Sequence, residues 1–207
     1  MKLLIGIPSY DYIHAEFVKC LNALILHLAR NNVNFDVFIN NGTLVHVARD
    51  KIACKAINEG FTHVLWLDSD MIFYPEVFDD LMDTRKDFVC GIFFARRKPH
   101  SSCLFKQIDD ISHIERIDDF PLGVFEIEAC GFGCVLTATE VLKHVQTTYQ
   151  TCFTPMASWG EDLAFCKRAR GLGHRIFADS HVQIGHIGHE VIYKEDHDKY
   201  IDLMKGG

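Results

Sequence analysis

The sequence predicts an α/β fold in one domain, and three observations carry the prediction. Short apolar runs ending in Pro, Asn, Gly or Asp alternate with helical periodicities through the first half of the chain. These runs are apolar almost throughout, as strands covered by helices on both faces must be. The 207 residues are 48% hydrophobic and 24% charged, enough apolar material for a core without covalent staples.

The elements follow in order. Leu3 to Ile7 reads as a buried strand stopped by Pro8-Ser9. Phe17, Leu21, Leu24, Ile25 and Leu28 then recur at helical spacing, and Asn31-Asn32 closes that helix. Phe35 to Ile39 is a second strand, stopped by Asn40-Asn41-Gly42. Val45, Ala48, Ile52 and Ala56 mark a second helix that ends near Gly60. His63 to Leu67 is a third strand, Pro75 opens a short helix through Met82, and Phe88 to Phe94 is a fourth strand. Strand–helix alternation of this kind predicts parallel strands joined by crossover helices.

The pattern changes after residue 95. Arg96 to Ser102 is polar, and Gln107 to Phe120 carries several Asp residues around isolated apolar ones, which suits either a functional loop or a solvated excursion. Val124 to Ala129 and Cys134 to Thr137 read as strands separated by Gly131-Phe132-Gly133. A helix is predicted near Ala138 to Val145 and another from Gly160 to Gly171. Arg175 to Ala178 and Val182 to Ile184 read as two short strands, and Tyr193 to Met204 as a polar helix. The expected organisation is one domain over 1–207, with a regularly alternating half at 1–95 and a less regular half at 96–207. The Lys205-Gly206-Gly207 end suits a domain of a longer polypeptide.

Composition narrows the function classes. With 21 basic and 28 acidic residues the net charge is −7, the opposite of a general nucleic-acid binder. The eight cysteines are scattered, mostly inside apolar runs, and form no CxxC. That pattern predicts free thiols in a reducing compartment, hence the cytoplasm. The apolar stretch at Leu3 to Ile7 is too short for a secretory signal, and no run approaches the ~20 apolar residues of a membrane span.

Ligands of open α/β sheets bind beyond the carboxyl ends of the strands. Pro8-Ser9-Tyr10-Asp11, Asn40-Asn41-Gly42-Thr43 and Asp68-Ser69-Asp70 fall there. Two carboxylates two residues apart in extended chain project to one side. At ~4 Å and an effective dielectric near 20 they repel by about 4 kcal/mol. A divalent cation turns that repulsion into attraction, and carboxylate oxygens suit Mn²⁺ or Mg²⁺. The alternative is a polar turn with two exposed acids.

Further candidates lie in the second half. Glu161-Asp162 opens a helix, where acids offset the dipole, and either residue could instead be a general base. Trp159 before them is either core or a flat surface for a sugar ring. His186 and His189 follow a predicted strand, and His186 is the better candidate to complete a metal shell with the aspartates. Arg96-Arg97-Lys98 follows the fourth strand and reads as a solvated run or a phosphate contact, and Arg49 could reach the same crevice. Gly-rich phosphate loops of the dinucleotide and P-loop types are absent.

In order and spacing these motifs resemble the GT-A-fold glycosyltransferases, in particular the broad family-2-like group of bacteria and viruses. The resemblance rests on Ile5 to Tyr10 (IGIPSY), Gly42 to Asp50 (GTLVHVARD), Val64 to Met71 (VLWLDSDM) and Cys90 to Arg97 (CGIFFARR). It continues through Ala129 to Cys134 (ACGFGC), Trp159 to Asp162 (WGED) and Gly185 to Gly188 (GHIG). It implies a Rossmann-like nucleotide-diphospho-sugar transferase fold, with a mixed central sheet flanked by helices, a nucleotide-binding half at 1–95 and an acceptor- and metal-completing half at 96–207. It also implies metal-dependent transfer from a sugar nucleotide, of the UDP-sugar kind, to a hydroxyl of a glycan or glycoprotein. By the same resemblance Pro8, Ser9, Tyr10, Arg49, Asp68, Ser69 and Arg97 contact the donor nucleotide. Asp68, Asp70 and His186 hold Mn²⁺ or Mg²⁺, and Gly131, Gly133 and Trp159 face sugar or acceptor. Asp162 and Glu161 form the catalytic acidic pair. Two alternatives stand beside it. One is a haloacid-dehalogenase-like Mg²⁺-dependent phosphatase with Asp68 as nucleophile; the other is a non-catalytic nucleotide-sugar-binding domain.

Overall fold

A computed structural model describes residues 1–108, 114–157, 159–188 and 191–205. Its centre is a seven-stranded mixed sheet in the order β2-β1-β3-β10-β5-β11-β8. The first half is built as its periodicities predict: β1 (Leu3–Pro8), α1 (Ala15–Arg30), β2 (Phe35–Asn40), α2 (Val45–Asn58) and β3 (His63–Leu67). The chain continues through β4 (Met71–Ile72), α3 (Val77–Asp83) and β5 (Phe88–Ile92). β1 pairs in parallel with β2 and β3, Leu3 lying opposite both Phe35 and His63.

The second half departs from simple alternation. It comprises β6 (Leu104–Ile108), β7 (Ile114–Arg116), β8 (Val124–Ile127), β9 (Ala129–Cys130), β10 (Cys134–Ala138) and α4 (Thr139–Tyr149). Then follow α5 (Glu161–Gly171), β11 (Ile176–Gln183), β12 (Gly185–Ile187), β13 (Val191–Ile192) and α6 (Lys194–Lys205). β10 inserts antiparallel between β3 and β5, so the sheet is mixed rather than the parallel one that alternation alone predicts. The polar stretch after residue 95 leads into β6, whose Leu104 and Phe105 are buried and pair with β9. Within the predicted loop of 107–120, residues 109–113 lie outside the described part of the chain, and β7 pairs back on β6.

Two sequence expectations need correction. The run 124–129 is two strands, because Glu128 donates its N–H to Phe105 O and the chain passes there from the central sheet to the β6–β9 sheet. The two short strands expected between 175 and 184 are one, β11, interrupted by a bulge. Asp179 pairs with Gly91 and Gln183 with the next residue, Ile92.

Strand alternation sorts the core onto the two faces of the sheet. Leu4, Val64 and Trp66 meet Ile52 and Ala56 of α2, Leu142 of α4 and Phe165 of α5. Leu3, Ile5 and Leu65 meet Phe17, Leu24 and Leu28 of α1 and Phe78 of α3. Trp66 is fully buried, packs edge-on to Phe132 and Phe153, and donates Nε1–H to Thr137 at 2.9 Å, so its polar atom is satisfied.

The β11 bulge crosses directly over Gly91. A Cβ there would lie 2.8 Å from Val182 Cγ1 and 3.0 Å from the Val182 carbonyl oxygen. Gly91→Ala therefore overpacks the crossing and should destabilise the protein by about 1–3 kcal/mol in urea unfolding; unchanged stability would contradict this packing.

Candidate active site

The topology gathers most of the predicted motifs at one edge. β1, β2, β3 and β5 all end there, and β11 runs parallel to β5 and ends beside it. Antiparallel β10 starts there, so Gly133 meets the end of β3 and its carbonyl accepts the Asp68 N–H at 3.1 Å.

Two cavities of about 400 and 390 Å³ open at this edge and share Val45, Asp68, Asp70 and Arg96. Pro8, Ser9, Tyr10, Thr43, Leu44 and Ser69 line the first. Arg49, Phe93, Gly131, Phe132, Glu161, Asp162 and His186 are among those lining the second. The aspartate motif thus stands at the seam between them.

The charged side chains form two groups. In the first, Arg49 on α2 is almost fully buried with its guanidinium over the Phe132 ring, 5.3 Å from its centroid. Its Nη2 donates to Asp68 at 2.7 and 3.0 Å, and its Nη1 to Glu161 at 2.5 Å. Its Nε is buried and has no partner among the described residues. Burial alone would lower the Arg49 pKa, but Asp68, Glu161 and Asp162 outweigh it and raise it. Asp68 is raised by burial despite Arg49, with Asp70 adding to the rise. Asp162 is likewise raised by burial, opposed by Arg49 and reinforced by Glu161. One Asp162 oxygen accepts the N–H of Leu163 at 2.8 Å.

The second group centres on Asp70. Arg96 Nη1 lies 3.0 Å and His186 Nε2 3.4 Å from the same carboxylate oxygen, Oδ2. Burial would raise the Asp70 pKa, but the hydrogen bond and charge of His186, with the charge of Arg96, bring it below the ordinary value. His186 Nδ1 donates to Phe94 O at 2.8 Å. With Nδ1 held by the Phe94 carbonyl, Nε2 is the ring atom that faces Asp70, and on a neutral ring it is the one that could ligate a metal.

The expected metal trio is not assembled. Among the described residues no group of three His, Cys, Asp or Glu is arranged to hold a metal. The reason is local: both Asp68 oxygens are engaged by Arg49, which leaves Asp70 and His186 as the converging pair. Arg49, expected to contact phosphate, instead bridges two carboxylates. Arg96 lines both cavities in place of Arg97, which lines a neighbouring hollow with His14 and Gly188. Trp159 is buried in the core beneath Lys167 and lines neither cavity. Gly133 lines neither as well; a Cβ there would sit 2.7 Å from Met71 Cε. His189 lies outside the described residues.

Two residues of the second cavity escaped the sequence reading. Arg116 arrives from β7 with its guanidinium on the Phe105 ring, 4.8 Å from the centroid, and donates to Ser102 O at 2.6 Å. Only the β6–β7 pairing brings it there, so no local signal marks it. Cys103 also lines this cavity, and burial pushes its thiol up to about 12, which disqualifies it as a nucleophile.

No family model and no curated protein matches this sequence. Solved structures do match it. Protein A197 from STIV superposes with a TM-score of 0.66 at 18% identity, covering 95% of this chain and 92% of that one. A UDP-glucose pyrophosphorylase complexed with UDP-glucose superposes with a TM-score of 0.52 at 10% identity, covering 98% of each chain. The chain has the GT-A type of nucleotide-diphospho-sugar transferase fold. In that fold the seam between the two cavities is the carboxyl-edge crevice at which open α/β sheets bind ligands.

Arg49 is the only cation within hydrogen-bond reach of Asp68 and Glu161 among the described residues. Arg49→Met leaves two partly buried carboxylates without their cation and should cost about 1–3 kcal/mol in urea unfolding. A loss below 1 kcal/mol, roughly that of an exposed ion pair, would show that the bridge is not buried as described.

Proposed function

We propose that this protein is a metal-dependent glycosyltransferase. In this reading it moves a sugar from a nucleotide-diphosphate sugar, a UDP-sugar, to a hydroxyl of a glycan or glycoprotein. The observation that carries the reading is the convergence of Arg96 and His186 on Asp70 Oδ2 at the seam of two cavities. A nucleoside fits the first cavity, with Pro8 and Tyr10 as its apolar border and Ser9 and Ser69 as its polar one. The sugar and the acceptor hydroxyl then lie in the second, where Gly131 keeps the wall low.

Asp70 and His186 would hold the cation, with donor phosphate oxygens completing its shell. One carboxylate oxygen with one imidazole nitrogen suits Mn²⁺ better than Mg²⁺, which takes oxygen ligands. Bound there, the cation would stabilise the negative charge that develops on the departing diphosphate. Arg96 would carry part of that same charge from the protein side.

Asp162 is the proposed general base. It lines the second cavity, and burial beside Glu161 and Asp68 makes it a stronger base than an ordinary aspartate. One oxygen is engaged by the Leu163 N–H, and the other is available to take the acceptor hydroxyl proton. Glu161, expected as a second catalytic acid, is engaged by Arg49, so its proposed role is positional. The phosphatase alternative needs a free Asp68 nucleophile, and Arg49 engages both of its oxygens. The eight cysteines are all free thiols, which supports the cytoplasm as the site of action. No helix among the described residues is long and apolar enough to cross a membrane.

Calorimetry with UDP-sugars and Mn²⁺ tests the reading. Asp162→Asn should bind donor as the parent does but lose turnover by about 10²–10⁴-fold. Full activity in that variant would remove Asp162 from the base role. Nucleotide-sugar binding without turnover in the parent, against every glycan acceptor tried, would favour the binding-domain alternative.

A further inference from the structure

Arg96 and His186 reach one oxygen of Asp70 from different elements, and a residue of the terminal helix α6 touches the supports of both. His197 is 2% exposed. Its ring stacks on Phe94, with centroids 4.6 Å apart and planes inclined by 22°. His197 Nδ1 lies 3.1 Å from His100 O and Nε2 lies 3.1 Å from Asp118 O. Carbonyl oxygens only accept, so the ring nitrogen that carries the proton is the donor, toward one carbonyl or the other according to the tautomer.

Each of these contacts leads back to Asp70. The carbonyl of Phe94 is the acceptor that fixes the His186 ring through Nδ1 at 2.8 Å. The segment 95–101 that carries Arg96 is closed on itself by Ala95 N–H to Ser101 O and His100 N–H to Arg97 O, both at 2.9 Å. His100 Nδ1 adds a 3.0 Å bond to Ala95 O. Holding the His100 carbonyl therefore holds the whole segment and with it the root of the Arg96 side chain.

We infer that His197 is a positioning residue for His186 and Arg96, which it orients on Asp70 through the Phe94 stack and the His100 carbonyl. The stack sets the peptide that His186 donates to, and the hydrogen bonds tie α6 to the Arg96 segment and to the chain at Asp118. Its importance for catalysis rests on the proposed role of Asp70 and His186; the positioning itself rests on contacts within the chain alone.

The test is side-chain ¹H–¹⁵N NMR of His186 in protein free of metal and nucleotide, in mildly alkaline buffer, with assignment by His186→Gln. The parent should show one tautomer, protonated on Nδ1. His197→Ala should average the two tautomers. His197→Phe keeps a ring on Phe94 and should restore the single tautomer, while His197→Gln keeps N–H donors without the ring and should not. The Phe and Gln variants decide the matter if the alanine variant fails to fold. An unchanged His186 signal in both His197→Ala and His197→Gln, or no fixed tautomer in the parent, overturns the inference.

Mn²⁺ affinity is the second readout. It should fall by about tenfold or more in His197→Ala and return largely in His197→Phe. Tautomer averaging in a series in which even the parent binds no Mn²⁺ would support the positioning and refute the metal reading.

Discussion

The buried Arg49 guanidinium is the interaction on which the rest of the site depends. Asp68, Glu161 and Asp162 line one cavity, and two unscreened like charges at ~4 Å cost about 4 kcal/mol at an effective dielectric near 20. Arg49 compensates two of them directly and joins α2, in the first half of the chain, to α5 in the second. Such a bridge is a poor device for stability alone, since an apolar replacement of similar shape can be as stable. Its effect is on charge placement. With Asp68 and Glu161 engaged, Asp162 keeps a raised pKa and one oxygen with no hydrogen-bond partner among the described residues, and Asp70 is left to Arg96 and His186.

Topology supplies the other constraint. Had β10 joined the sheet in parallel, the 131–133 segment would have lain at the far edge. Antiparallel insertion places Gly133 beside Asp68, and the β11 bulge over Gly91 carries the chain on to Gly185 and His186. β12 then pairs His186 with Met71, one residue past Asp70. The elements that line the two cavities thus converge through backbone pairing, and side-chain charge decides which carboxylates are engaged and by what.

Much of this was legible in the sequence. Apolar runs and helical spacing located the elements of the first half, because each satisfies its own periodicity without help from distant residues. The edge position of Pro8-Ser9-Tyr10 and Asp68-Ser69-Asp70 follows from the same reading, whereas Glu161-Asp162 reads only as the start of a helix. What could not be read depends on pairing between remote segments. β6, β7 and β12 are short and lack strong alternation, so Arg116 went unnoticed, and the junction at Glu128 is set by a bond to Phe105. Partner choice was equally hidden. Arg49 and Arg97 both suit phosphate by residue type, yet one is enclosed by carboxylates and the other faces a different hollow. Trp159, a plausible sugar platform by type, is in the core.

The central claim is that a cation bridges Asp70, His186 and a donor diphosphate at the seam of the two cavities. A crystal structure with Mn²⁺ and a UDP-sugar tests it most directly. The account predicts anomalous manganese density within coordination distance of an Asp70 oxygen and His186 Nε2, with uracil beside Tyr10 and the sugar on the Asp162 side. Manganese absent from that place while the nucleotide sugar is bound, or the nucleotide lying elsewhere on the molecule, would contradict it.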